Sequence, residues 1–270
     1  MHLVELFLTA VFLLSAAWAS SASTGSAQGS SPSASRCVSN NQSRIDSVQG
    51  LNEASEPEIP EWVREFENED REVNQRKKEI VRALRLQAGM SVADIGAGTG
   101  TFTFPFAAKV GPSGHVFALE NNKERCSYIS KIKTDCALHQ IHAVESTDRS
   151  TRLPANSVDL AFLCDTYHHF DYPEDMLLSI LQTLKPGSIF AIVDYERIPG
   201  VSTDWVLSHV DKDKDAVKSE IIDAGFEFVD EINSAGLSVH YLMRFSKPRS
   251  TTAEQEDARN LSTATVPADE

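Results

Sequence analysis

Cysteine is scarce in this 270-residue chain, and the four present, Cys37, Cys126, Cys136 and Cys164, show no C-x-x-C spacing. That pattern excludes a thiolate metal knuckle and a dense disulfide framework. Cys126 and Cys136 on one helix would stand about 15 Å apart, beyond bridging distance. Free thiols are therefore expected, and they suit a reducing compartment. Basic charge is also short, with 25 Lys and Arg against 39 Asp and Glu for a formal net charge of −14. Without clustered cations to neutralise phosphates, no nucleic-acid partner is expected. Long apolar runs are missing as well: the run Leu6 to Ala17 is about a dozen residues, short of the roughly twenty that span a bilayer.

That run has the length of an export leader, and Ala17-Trp18-Ala19 offers a small-x-small cleavage site. Residues 1–19 read as a signal peptide and the mature chain as exported, periplasmic or secreted, with no stable membrane span after cleavage. His2 and Glu5 stand where Lys or Arg is usual, so a cytoplasmic or membrane-anchored chain is the alternative. The free thiols pull the same way. Residues 20–50 are dominated by Ser, Ala, Gly, Asn and Gln, and residues 249–270 by Thr, Ala and acids, so both read as solvated, unfolded segments. Two N-x-S/T triplets, at Asn41 and Asn260, fall within them. Residues 51–248 are enough for a single domain with one core.

Within that span helix and strand patterns alternate. Glu61 to Phe66 and Arg71 to Leu86 predict helices, the second with Val73, Ile80, Val81 and Leu84 on one face. Apolar runs predict strands at about 91–95, 115–119, 140–144, 158–164 and 189–194, with helices at 101–109, 122–136 and 173–184 between them. That alternation packs as a parallel sheet covered by helices. A last helix over Lys212 to Ala224 precedes two runs, Phe226 to Glu231 and Val239 to Phe245, that predict an antiparallel hairpin. The expected fold class is α/β, a Rossmann-like doubly wound sheet, mostly parallel and ending in that hairpin.

The densest signal is Val92-Ala93-Asp94-Ile95-Gly96-Ala97-Gly98-Thr99-Gly100, a buried strand emptying into a glycine turn. Glycine there lets backbone approach a ligand, and the helix that follows aims its free amides at the same crevice. Glu120 closes the next apolar run, where a carboxylate can accept both hydroxyls of a ribose. A dinucleotide fingerprint needs its third glycine at 101, but Thr101 stands there and the third glycine is at 100.

With Asp94-Ile95-Gly96-Ala97-Gly98-Thr99-Gly100 the chain resembles the class I S-adenosylmethionine-dependent methyltransferases, whose first motif is (D/E)-x-G-x-G-x-G. Leu153-Pro154-Ala155-Asn156-Ser157-Val158-Asp159 resembles the lead into that family's fourth strand, and Leu184-Lys185-Pro186-Gly187-Ser188 its turn before the fifth. The similarity runs from about Pro60 to Pro248 and is nearest the small-molecule branches. It implies S-adenosylmethionine as cofactor, held by Asp94, Gly96, Ala97, Gly98, Gly100 and Glu120. It also implies Asp148 as the acid that meets the adenine amino group, with Glu145 competing for that role.

Ligands of such sheets bind beyond the carboxyl ends of the strands where strand order reverses. Cys164-Asp165-Thr166-Tyr167-His168-His169-Phe170 leaves the fourth strand there. Asp165 is the expected orienter of His168 or His169, either of which could serve as general base. No metal site is expected from the pair, because adjacent histidines on an extended segment point in opposite directions. Trp62 and Phe66 read as a core stripe or as a lid on the cofactor, and Asp194-Tyr195-Glu196-Arg197 as a wall of the acceptor pocket or a solvated turn. The function expected is methyl transfer from S-adenosylmethionine to a small acceptor. The rivals are an exported adenosyl-ligand binder without turnover and, disfavoured by Thr101, an NAD-dependent oxidoreductase.

Overall fold

Five strands run parallel, β1 (Ser91–Ile95), β2 (His115–Glu120), β3 (Ile141–Glu145), β4 (Val158–Cys164) and β5 (Leu184–Tyr195), and of these β1 and β4 are apolar runs buried on both faces. With β6 (Glu227–Glu231) and β7 (His240–Ser246) they make one sheet in the order β3-β2-β1-β4-β5-β7-β6. β7 runs antiparallel to both of its neighbours. Strand order reverses between β1 and β4, so a crevice opens at their carboxyl ends. The coordinates are a computed structural model in which residues 59–249 are described. The expected leader, the Ser-rich segment, both sequons and the tail beyond residue 249 lie outside those residues. No helix of the described residues is long and apolar enough to cross a membrane.

Alternation along the strands splits the core between the two faces. Phe162 meets Phe102 and Phe106 on one face at 4.9 and 5.2 Å between ring centres. Its neighbours Ala161 and Leu163 pack with Leu177 and Ile180 on the other. Covering helices are α1 (Glu61–Phe66), α2 (Glu72–Gln75), α3 (Lys77–Ala83), α4 (Thr103–Val110), α5 (Lys123–Asp135), α6 (Pro173–Thr183), α7 (Asp204–His209) and α8 (Lys214–Asp223).

Four expectations change. The single helix over Arg71 to Leu86 breaks at Arg76, whose φ of −99° and ψ of 9° leave the helical region. The break turns Arg71 and Glu72 toward the strand ends while Ile80 and Val81 stay in the core. β5 begins at Leu184 rather than 189, because Leu184 pairs with Val158 before a bulge brings Ile189 opposite Leu160. α7 was not anticipated, since its first turn is capped by Thr203 but only Val206 is buried. Finally, the cysteines are not all free thiols: Cys136 is disulfide-bonded, whereas Cys126 and Cys164 are free.

Candidate active site

β1 delivers its glycine turn against the end of β2, where the amides of Gly96 and Ala97 both donate to the Leu119 carbonyl at 2.9 and 3.1 Å. The next amide, of Gly98, donates to Oε1 of Glu120 at 2.5 Å. Gly98 has φ +57°, and a Cβ there would stand 2.9 Å from the Phe66 ring. Gly96, Ala97 and Gly98 form one wall of a cleft of about 760 Å³. Gly100 differs from expectation. It lies off the wall, and a side chain there would run into the Phe104 ring, so it serves the packing of the turn onto α4.

Two buried acids face the cleft from the strand ends. Glu120 is held by the Gly98 amide, with Arg125 4.0 Å from its other oxygen; burial raises its pKa and those two contacts lower it. Asp94 accepts from the Thr103 hydroxyl at 2.5 Å. Burial pushes its pKa up to about 7, the Thr103 hydrogen bond opposing and the Glu120 charge adding to the rise. Asp148 lies in the cleft wall with Ser146 and Thr147, whereas Glu145 is exposed at the end of β3 and outside the wall.

α1 forms a lid over the turn, not a core stripe, since Val63 is its buried residue and Phe66 lines the cleft. Trp62 donates to Glu124 at 3.2 Å and packs edge-on against Tyr128 of α5. The Arg125 guanidinium lies 4.8 Å from the Phe66 ring centre, a cation–π contact that ties lid to α5. Just beyond α1, Glu67 accepts from the hydroxyls of Thr99 and Thr101 and so grips the turn itself.

Asp165 does not orient the histidines beside it. Its backbone sits at φ +47°, a region that Asp tolerates, and its carboxylate faces Arg71 at 2.6 Å and Nε2 of His240 at 3.1 Å. The His240 contact is close enough for an ion pair but out of line for a hydrogen bond, so neither atom has a hydrogen-bond partner. His240 donates from Nδ1 to Glu72 at 2.8 Å, and Glu72 also accepts from the amides of Ser238 and Val239. Burial opposes every charge in this chain, but the partners prevail: His240 is raised, Asp165 lowered, and Glu72 lowered to about 2. The result fastens α2 to the ends of β4 and β7.

The histidines form a separate group. His168 and Asp194 are both nearly buried, and Nδ1 donates to the Asp194 carboxylate at 2.6 Å. Residues 167–169 wind as a 3₁₀ turn, not an extended segment, so the rings of His168 and His169 lie 4.1 Å apart on one side. That overturns the ground on which the pair was expected to hold no metal. His209 of α7 completes the group, stacked on Trp205. Burial, with the adjacent His168 and His209, lowers the pKa of His169. Asp94, Glu120, Asp148, Asp165, His168 and His169 thus share one cleft.

Sequence reasoning missed Glu67, Arg71, Glu72, Trp205, His209 and His240. Two signals were available: Thr203 is a helix N-cap before Asp204, and His240 is a polar residue inside an apolar run. Nothing local marks the others, whose partners lie far along the chain.

A demethylmenaquinone methyltransferase from Listeria monocytogenes is 26% identical over 126 residues, which are 46% of this chain and 53% of that protein. The chain thus spans about half the length of that curated relative. A ubiquinone/menaquinone biosynthesis C-methyltransferase from Ectopseudomonas mendocina is 24% identical over 59% of this chain and 74% of its own. Among solved structures, a SAM-dependent methyltransferase from Aquifex aeolicus superposes with a TM-score of 0.60 at 20% identity, over 67% of this chain and 96% of that one, and so shares the fold. The methyltransferase-domain family matches residues 86–254, well over half of the chain. With its motif, its strand order and that match in agreement, the chain belongs to the class I S-adenosylmethionine-dependent methyltransferase family.

Proposed function

We propose that the protein transfers the methyl group of S-adenosylmethionine to a small-molecule acceptor bound beside His168 and His169. The observation that carries this reading is the Gly98 amide locked onto buried Glu120 at the mouth of the cleft. The residues present fit the cofactor: Glu120 can accept from a ribose diol, Asp148 can accept from an adenine amino group, and Asp94 can face an amine. The cofactor supplies an electrophilic methyl on a sulfonium. Transfer is an in-line displacement in which the acceptor atom forms the bond to methyl carbon while the C–S bond breaks and its electron pair stays on sulfur. Orientation is the chain's main contribution and accounts for several kcal/mol of such a barrier. Phe66 and Arg125 close the adenosyl end, while His168, His169, Tyr195 and Trp205 surround the acceptor end.

Two of the proteins named above are a demethylmenaquinone methyltransferase and a ubiquinone/menaquinone biosynthesis C-methyltransferase, which supports a small acceptor without specifying it. Export is part of the proposal, because the leader pattern and the disulfide-bonded Cys136 both suit an oxidising compartment. Calorimetry with S-adenosylmethionine, S-adenosylhomocysteine and NAD should give binding of the first two only. Labelled donor with an extract of small metabolites should then yield a labelled product. NAD binding alone sinks the reading, and binding without transfer leaves the turnover-free binder. Sequencing of the mature amino terminus should find Ser20.

A further inference from the structure

We infer that His168, His169 and His209 form a divalent-metal site, open toward the acceptor end of the cleft. One ring nitrogen from each of the three lies within 4.8 Å of the others. Three imidazoles are a donor set that suits zinc and its first-row neighbours rather than magnesium or calcium. The cluster arises because the 3₁₀ turn after β4 meets α7, the helix that follows β5.

The cluster also has the support that a metal ligand needs. A ligating imidazole fixes its free nitrogen by donating from the other one to a carboxylate. His168 does this: its Nδ1 donates to buried Asp194 at 2.6 Å, which leaves Nε2 for an ion. Asp194 is itself held, accepting from the Tyr195 amide at 2.8 Å. His169 and His209 are exposed and free to adjust. Nitrogens on one tetrahedral zinc stand roughly 3.4 Å apart, given Zn–N bonds of about 2.0–2.1 Å. Closing the cluster therefore needs a shift on the order of an ångström, which rotation of those two rings supplies around a fixed His168.

Three protein ligands leave a fourth position for an outside atom. All three histidines line the cleft, so that position falls where the acceptor is held. A metal held there by His168, His169 and His209 would act as a Lewis acid on an acceptor hydroxyl or thiol and lower the pH at which that group loses its proton to solvent. The site's existence does not depend on methyl transfer, and its test does not use it.

Protein stripped by a chelator and dialysed is titrated with Zn²⁺ against a chromophoric competitor, and separately with Co²⁺ while visible d–d bands are recorded. One equivalent should bind, with the intense bands of a tetrahedral cobalt centre. His209→Ala should weaken binding at least about 10-fold and Asp194→Asn by about 10- to 100-fold, each with its thermal midpoint measured to show that it folds. His142→Ala serves as control, because His115 and His142 also stand 3.1 Å apart and are a competing nitrogen pair. Loss of binding in His142→Ala, unchanged affinity in His209→Ala, or no stoichiometric uptake by the parent overturns the site. Calorimetry of S-adenosylhomocysteine on the parent reports separately on the methyltransferase reading.

Discussion

Asp94 is the side chain whose charge state bears most directly on the cleft. Its ordinary pKa is 3.8, and burial carries it to about 7 in the fold. A carboxyl that holds its proton more tightly folded than unfolded stabilises the fold fully below pH about 4, and that contribution is lost as pH rises through about 7. The difference is on the order of 4 kcal/mol at most. Asp94→Asn keeps the shape and removes the titration, so its thermal midpoint should fall less than the parent's between about pH 5 and pH 8; parallel slopes would mean that Asp94 is ionised throughout. His240 drifts in the same direction, because its raised pKa stabilises most below 6.5 and fades as pH climbs through the higher folded value, which is why the comparison must be made against the Asn variant. Glu120 is the complementary case. Glu120→Ala leaves the Gly98 amide without its acceptor and removes the proposed ribose contacts, so the Kd for S-adenosylhomocysteine should rise about 100-fold, or roughly 2.7 kcal/mol. A change under about threefold, measured by calorimetry, would place the ribose elsewhere.

Elements that were legible in the sequence are those whose side chains are buried in a regular period. β1 and β4 read as apolar runs because both faces are covered, and the glycine turn with Glu120 was legible because chemistry restricts those positions to few residue types. α7 was not legible: a six-residue helix that leaves Trp205 about half exposed has too few buried positions to show a period. The split of α2 from α3 was hidden for a different reason, since its cause is a partner far along the chain, Asp165 for Arg71 and His240 for Glu72. That connection carries an expectation for the whole entry segment. Asp165→Asn preserves the left-handed backbone but removes the charge shared by Arg71 and His240. Breaking one member of a buried ionic set costs about 3–5 kcal/mol. Hydrogen exchange should therefore speed up across α1 and α2 more than in β1, and equal protection in parent and variant would show that the charges do not hold the lid.

For the molecule as a whole, thiol chemistry is the sharpest test of the bridge at Cys136. Cys136 is disulfide-bonded, Cys126 is half-buried on α5, and Cys164 is half-buried in the cleft wall, where its surroundings push its pKa well above its ordinary value. Alkylation of the folded protein, followed by peptide mapping, should modify Cys126 first and Cys164 more slowly because less of it is thiolate, with Cys136 reacting only after reduction. Reductant should also lower the thermal midpoint, and an alkylated Cys136 in unreduced protein would contradict the bridge.

The placement of β7 between β5 and β6 has a consequence for the order in which the chain can be finished. β6 is made before β7, yet within the sheet its partner is β7, so it has none until His240–Ser246 has been synthesised. His240 opens that same strand and is the residue that Glu72 and Asp165 await. Two of the seven strands and the anchoring of the first helices therefore wait for residues near the end of the domain. A nascent chain in that condition keeps the edge of its sheet open until the last strand of the domain has been made.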